Sequence, residues 1–210
     1  MNTARFVSFE GGEGAGKSTQ IQRLRQLLET HGRTVLVTRE PGGSDGAEEI
    51  RDLLVKGEPG RWDAVTELLL LYAARRDHVE KVIKPALQKG QWVLCDRFAD
   101  STMAYQGFGH GLGQAMVQSV HDLVLGSFTP DLTYYLDIAP EDGLQRAHAR
   151  QDDENRFESM TLDFHNKLRA GFQAISAENP NRFVTIDASQ DLETVWTAIH
   201  QDAGKRWGLR

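Results

Sequence analysis

"FEGGEGAGKST", Phe9 to Thr19, decides the fold. Gly11, Gly16, Lys17 and Ser18 fit the pattern G-x-x-x-x-G-K-[ST]. The run before it, "RFVSFE" (5–10), reads as a strand, and the segment after it, 17–31, has helical period. In that setting the glycines let backbone N–H groups converge on phosphate oxygens, and the helix N-terminus adds partial positive charge. Lys17 is expected to reach the β and γ phosphates and Ser18 to coordinate Mg²⁺. Switches, motors and kinases all use such a loop, so it establishes nucleotide binding and leaves the acceptor to be found.

Outward from the loop, short β-rich runs alternate with longer helical segments, the signature of a parallel sheet wrapped by helices. Strands are predicted at 5–10, 34–40, 91–97, 131–138 and 182–188. Helices are predicted at 17–31, 45–56, 64–89, 112–126, 140–150, 158–178 and 191–206, and no element is assigned between 97 and 112. Gly32, Gly90 and Gly126 fall just past helical segments, where a left-handed C-cap favours a residue without Cβ. "RQDDENR" (150–156) reads as an exposed mobile loop.

The 210 residues suffice for one domain, and no composition break suggests a second. Hydrophobic residues at 40% and charged residues at 26% exclude a disordered chain. A net charge of -6 gives no whole-molecule attraction to nucleic acid or anionic membrane, so an anion must be bound by a local cluster. The one cysteine, Cys95, lies in the apolar run "WVLC" and reads as a buried structural thiol. The longest apolar run, "LLLLYAA", is far too short for a membrane span, and the start lacks a signal-peptide stretch, so a cytoplasmic enzyme is expected.

Ligands of open parallel sheets sit at the carboxyl ends of the strands. The second strand ends in "TREPGG" with Arg39 and Glu40; the third leads into "CDRFADSTMAYQG" with Asp96, Arg97, Ser101, Thr102, Tyr105 and Gln106. Arg39 and Arg97 beside the loop match a second anion; the alternative is pairing with Glu40 or another surface carboxylate and with Asp96. Asp96 closes an apolar strand and suits a Mg²⁺ or metal-water partner. Arg75 and Arg76 interrupt the apolar face of the 64–89 helix, so one points into the cleft or both are solvated beside Asp77. Arg146, Arg150 and Arg156 flank the polar loop, as a basic lid over transferring phosphates would require; charge on a solvated helix face is the alternative.

With these stretches together, the chain resembles the thymidylate kinases, specifically the bacterial subgroup with arginines in the lid. The resemblance runs along nearly the whole chain through "FEGGEGAGKST", "TREPGG", "TELLLLYAAR", "LCDRFADSTMAYQG", "RAHARQDDENRFE" and "IDASQ", of which the fourth is the most specific. It implies a P-loop nucleoside monophosphate kinase fold over 1–210, a five-stranded parallel sheet flanked by helices, with a lid around 146–157. It further implies ATP with Mg²⁺ as donor, thymidine 5′-monophosphate as acceptor, thymidine diphosphate as product and a homodimer joined through the long helix.

The residues the resemblance implies for ATP are Gly11, Gly12, Glu13, Gly14, Ala15, Gly16, Lys17, Ser18, Thr19, Arg146 and Ser189, the last near the adenine. For the acceptor they are Glu13, Arg39, Leu71, Arg75, Arg97, Ser101, Thr102, Tyr105 and Gln106. Arg39 and Arg97 hold its phosphate, Arg75 donates to thymine O4, Gln106 faces N3, Tyr105 packs on the sugar at C2′, and Glu13 lies near the 3′-hydroxyl and metal waters. Lys17, Arg97, Arg150 and Arg156 serve the transfer, and Ser18 and Asp96 the metal. In one place the sequence departs from the family: Leu71 stands where a phenylalanine commonly stacks on thymine, with Phe98 or Tyr72 as candidate substitutes.

Two rivals are weighed. A guanine-nucleotide switch needs N-K-x-D, and the nearest string, "NKLR" (Asn166 to Arg169), ends in arginine inside a predicted helix. A kinase for another monophosphate or small alcohol is opposed by the fourth stretch.

Overall fold

All five expected strands form, each within a residue or two of its predicted ends: β1 (Phe6–Glu10), β2 (Val35–Arg39), β3 (Trp92–Asp96), β4 (Leu132–Asp137) and β5 (Phe183–Asp187). The structure, a computed structural model, describes residues 4–56, 60–148 and 160–209. The strands make one parallel sheet in the order β2-β3-β1-β4-β5, with Phe9 opposite both Asp96 and Tyr134. After β1 the chain runs to the β2 edge, returns to β3 beside β1, then crosses to β4 on the other side. That reversal opens a crevice at the carboxyl end of β1, where open α/β sheets bind their ligands.

The helices are α1 (Lys17–Thr30), α2 (Asp45–Val55), α3 (Ala64–His78), α4 (Lys84–Gln88), α5 (Ala99–Thr102), α6 (Gln114–Leu125), α7 (Pro140–His148), α8 (Leu162–Glu178) and α9 (Leu192–Trp207). Successive strand residues point to opposite sheet faces and build two cores. Val7, Phe9, Trp92 and Leu94 pack with Ile21, Leu24 and Ile199 of α1 and α9. Phe6, Val93 and Cys95 pack with Leu68, Tyr72 and Val117 of α3 and α6. Cys95 is a buried free thiol, as expected. Asp63 caps α3 by accepting from Val65 and Thr66 N–H, and Asp191 caps α9 by accepting from Glu193 and Thr194 N–H. Gly32, Gly90 and Gly126 all carry positive φ, as their positions after helices predicted.

One expectation is corrected, and one stretch left without an element is filled. The single helix at 64–89 is α3 and α4 joined by a π-helical turn, Val79–Ile83. The unassigned stretch after β3 is not a loop: α5 runs into a second π-helical segment, Met103–Gly109. "NKLR" lies within α8, which removes the guanine-reading alternative. Arg150, Arg156 and the loop at 150–156 lie outside the described residues.

Candidate active site

The loop between β1 and α1 is drawn tight by its own lysine. Lys17 Nζ donates to the carbonyls of Gly11 (3.2 Å) and Gly12 (3.0 Å), and burial together with the neighbouring Arg97 charge lowers its pKa. Gly16, at φ 86°, precedes α1 without a side-chain cap, leaving the first N–H groups of the helix for an anion. Gly14 packs so closely on α7 that a Cβ there would lie 1.9 Å from the Gly143 carbonyl oxygen. Ser18 Oγ donates to Asp96 Oδ2 at 3.0 Å, joining the two residues expected at the metal. Ala15 is buried beneath the loop, and Thr19 is exposed on the first turn of α1. Arg146 Nη1 and Nη2 donate to the carbonyls of Ala188 (2.8 Å) and Ser189 (3.0 Å), which brings together two of the residues expected at ATP.

At the end of β3, Arg97 takes φ 66°, the left-handed region that a residue bearing a Cβ occupies at a cost of about 1–3 kcal/mol. Glu10 holds the turn in place: it accepts from Phe98 N–H (2.7 Å) and from the Ser101 hydroxyl. Burial and the nearby Asp100 push the Glu10 carboxyl up to about 8, against the opposing pull of Ser101, Arg97 and Phe98 N–H. So placed, Arg97 donates to the Gly11 carbonyl (2.9 Å), to Ser101 Oγ (3.3 Å) and to Glu13 Oε1 (2.7 Å). Tyr105 Oη donates to the same Glu13 oxygen at 2.7 Å. Burial raises the Glu13 pKa, but the Arg97 and Lys17 charges and the Tyr105 hydroxyl outweigh it and bring it to about 2. Pairing of Arg97 with Asp96 is not what the structure shows.

Beside this network lies a cavity of about 150 Å³ lined by Leu71, Arg75, Phe98, Ser101, Thr102, Tyr105 and Gln106. Of the two arginines on α3, Arg75 turns inward and is 3% exposed, whereas Arg76 lies outside on Glu80 and the Val124 carbonyl. Arg75 Nε donates to Glu40 Oε2 (2.6 Å) and Nη2 to Thr102 Oγ1 (2.8 Å). Its Nη1 has no protein partner. Glu40 is itself steadied by His78 Nδ1 at 3.0 Å. Gln106 donates through Nε2 to Glu67 Oε1 at 2.8 Å, and its buried Oε1 likewise has no protein partner. Phe98 lines the cavity with Leu71, while Tyr72, the other proposed aromatic substitute, is buried beneath Arg75 outside it.

A second cavity of about 160 Å³ runs along Glu13 to Ser18 and meets the first at Glu13, Glu40, Arg51 and Arg97. Arg39 lines only this second one and pairs with Glu48 at 3.1 Å on an exposed rim, so of the two arginines expected to converge, Arg97 alone reaches the junction. Sequence reasoning missed Arg51, whose Nη1 donates to the Pro41 carbonyl and which lines both cavities. Its signal was the helical period: Arg51 follows Ala47 by four and precedes Leu54 by three, both on the buried face of α2.

Residues 9–199 match the family described as thymidylate kinase. The chain belongs to the thymidylate kinase family. It is 54% identical to the thymidylate kinase of Caulobacter vibrioides over the whole of both chains, and 51% identical to that of Jannaschia sp. over 96% of each. The crystal structure of thymidylate kinase from Ehrlichia chaffeensis superposes with a TM-score of 0.77 at 35% identity, covering 95% of this chain and 97% of that one. The parallel sheet, its order and the helices flanking it are thus those of a P-loop nucleoside monophosphate kinase.

Proposed function

We infer that this member of the thymidylate kinase family transfers the γ-phosphoryl group of ATP to thymidine 5′-monophosphate, supplying the diphosphate for dTTP synthesis, through the residues assembled above. The observation that carries the site assignment is the cavity whose two unpartnered polar atoms, Arg75 Nη1 and Gln106 Oε1, offer one donor and one acceptor. Thymine presents the complement, the O4 acceptor and the N3–H donor. Leu71 and Phe98 cover the ring faces by dispersion and area burial. Tyr105 packs against the sugar at C2′, and Glu13 lies near its 3′-hydroxyl.

The acceptor phosphate sits where the two cavities join, against Arg97 and Arg51, with Arg39 completing the cluster from the rim. Lys17 and the loop N–H groups hold the donor phosphates, Arg146 meets the ATP, Ser189 borders the adenine, and Arg150 and Arg156, outside the described residues, contact the phosphates. A phosphate monoester with its second pKa near ~6 is already mostly dianionic at neutral pH, so the attacking oxygen needs no general base. The barrier is electrostatic, and fixed cations aimed at the oxygens in flight answer it. Ser18 and Asp96 supply hard oxygen donors suited to Mg²⁺, which shares its coordination with substrate phosphates and water. When bound, Mg²⁺ neutralises charge on the β and γ oxygens.

The assignment is tested by measuring ADP formation from Mg-ATP with thymidine, deoxyuridine, uridine, cytidine, guanosine and adenosine monophosphates. Turnover is expected to be strongest with the thymidine compound and lost without Mg²⁺. Lys17→Ala and Arg97→Ala should each lower turnover by at least roughly a hundredfold, the scale of losing one preorganised donor. Near-normal turnover in either variant refutes its role. We also propose a cytoplasmic homodimer. Among the described residues no helix is long and apolar enough to cross a membrane. Val65 and Leu69 of α3 and Met116 and Leu123 of α6 leave apolar surface uncovered for a second copy.

A further inference from the structure

A glutamine amide can face a ligand with either end, as donor or as acceptor, so Gln106 alone does not define which base it accepts. In this chain the ambiguity is removed from behind. Gln106 Nε2 lies 2.8 Å from Glu67 Oε1, and both side chains are nearly inaccessible, at 1% exposure each. A carboxylate only accepts hydrogen bonds, so the amide nitrogen is the end that must turn to Glu67, and Oε1 is the end left to the cavity. His110 Nε2 lies 3.6 Å from the same carboxylate oxygen. Glu67, Leu71 and Arg75 follow one another at intervals of four along α3, so one helix face carries the lock, the apolar cover and the donor.

We propose that Glu67 is a positioning residue that sets pyrimidine choice by fixing the Gln106 amide with its oxygen toward the base. This rests on the reading that Gln106 and Arg75 face the thymine edge. Thymine and uracil offer O4 as acceptor and N3–H as donor, matching Arg75 Nη1 and Gln106 Oε1. Cytosine offers an amino donor and an N3 acceptor, so donor meets donor and acceptor meets acceptor, and buried polar groups are left unpaired on both sides. Were Gln106 free to turn over, its Nε2 would meet cytosine N3 and one of the two mismatches would vanish. Glu67 therefore rejects cytosine without touching it; uracil is not separated from thymine by this device.

The test compares kcat/KM for thymidine and deoxycytidine monophosphates, with KM for ATP measured alongside. Glu67→Gln places an amide behind Gln106 that can donate as well as accept, which permits the flip. The thymidine-to-deoxycytidine ratio is expected to fall at least about tenfold, the scale of repairing one buried mismatch, while KM for ATP stays within twofold of about its original value. The exchanged pair, Glu67→Gln with Gln106→Glu, keeps a hydrogen bond between the two positions and again offers only an acceptor to the base. It is expected to recover the ratio, and it also serves if Glu67→Gln alone folds poorly. An unchanged ratio in Glu67→Gln, or failure of the exchanged pair to discriminate better than that variant or to reach a tenth of the original ratio, overturns the proposal. So does an equal loss for ATP and both acceptors, the mark of a merely structural role. Gln106→Leu separates the two readings. If it leaves the kcat/KM for thymidine monophosphate unchanged, Gln106 does not face the base; if it collapses that value while Glu67→Gln keeps the ratio, the lock alone is wrong.

Discussion

At the scale of single residues, the site is held together by groups whose ordinary ionisation the fold overrides. Glu10 is the clearest case, with a folded pKa of about 8 against an ordinary 4.5 caused by burial and by Asp100. Between those values the unfolded chain has released the proton and the folded chain keeps it. The unfolded state then binds fewer protons, so stability falls as pH rises. The contribution is complete below about pH 4.5 and is lost as pH climbs through about 8. Glu10→Gln cannot ionise and should lack this trend. Urea titrations at a series of pH values should show the parent losing more than about 1 kcal/mol relative to the variant across that window. Parallel curves would mean that Glu10 is not carrying the burden assigned to it. The residue-scale chemistry was only partly legible in the sequence. Lys17, Ser18, Asp96 and Arg97 stood out because a motif or a strand end marks them. Glu10 also ends a predicted strand, but nothing in the sequence pairs it with Phe98 and Ser101; Glu67 and Arg51 carry no mark at all, because only the fold brings Gln106 and the Pro41 carbonyl to them.

At the scale of elements, strands and long helices were readable because each buries one side of a regular pattern, as Phe6 and Val7 do on opposite faces of β1. The segment that brings Ser101, Thr102, Tyr105 and Gln106 to the first cavity was not. α5 is four residues long, and Met103–Gly109 is π-helical with two glycines, so neither presents the 3.6-residue period. What stabilises that segment is its partner α8, through a pair of reciprocal close approaches. A Cβ on Gly171 would lie 2.8 Å from the Phe108 ring, and one on Gly109 would lie 2.6 Å from the Phe164 ring. Neither glycine needs unusual backbone angles; both are needed for space. Gly171→Ala should therefore overpack the joint and destabilise the fold by roughly 1–3 kcal/mol. Because Tyr105 and Gln106 ride on the displaced segment, KM for thymidine monophosphate should rise while KM for ATP changes little. Urea midpoints and the two KM values check this; a stable variant with an unaltered acceptor KM would show that the joint yields without moving the site.

At the scale of the whole molecule, α3 has one buried face and one exposed apolar one. Glu67, Leu71 and Arg75 are buried at the cavity, while Val65 and Leu69 lie on the opposite side, Leu69 at 55% exposure. α6 packs beside α3, with Arg76 donating to the Val124 carbonyl across the contact, and it leaves Leu123 at 85% exposure and Met116 at 45%. Together these exposed side chains are the apolar strip proposed for a second copy, on a chain of net charge -6. Burying the strip against a second copy would remove it from water and clamp the outer side of the helix whose inner side is proposed to read the base. Sedimentation equilibrium is expected to give a dimer, and Leu69→Glu with Leu123→Glu a monomer, because charge placed at the centre of an apolar contact must be desolvated without a partner. The monomer should keep its KM for ATP and raise its KM for thymidine monophosphate as α3 loosens. A parent chain that sediments as a monomer would leave the strip without this role, and a monomeric variant with both KM values intact would show that α3 holds the base without help from a second copy.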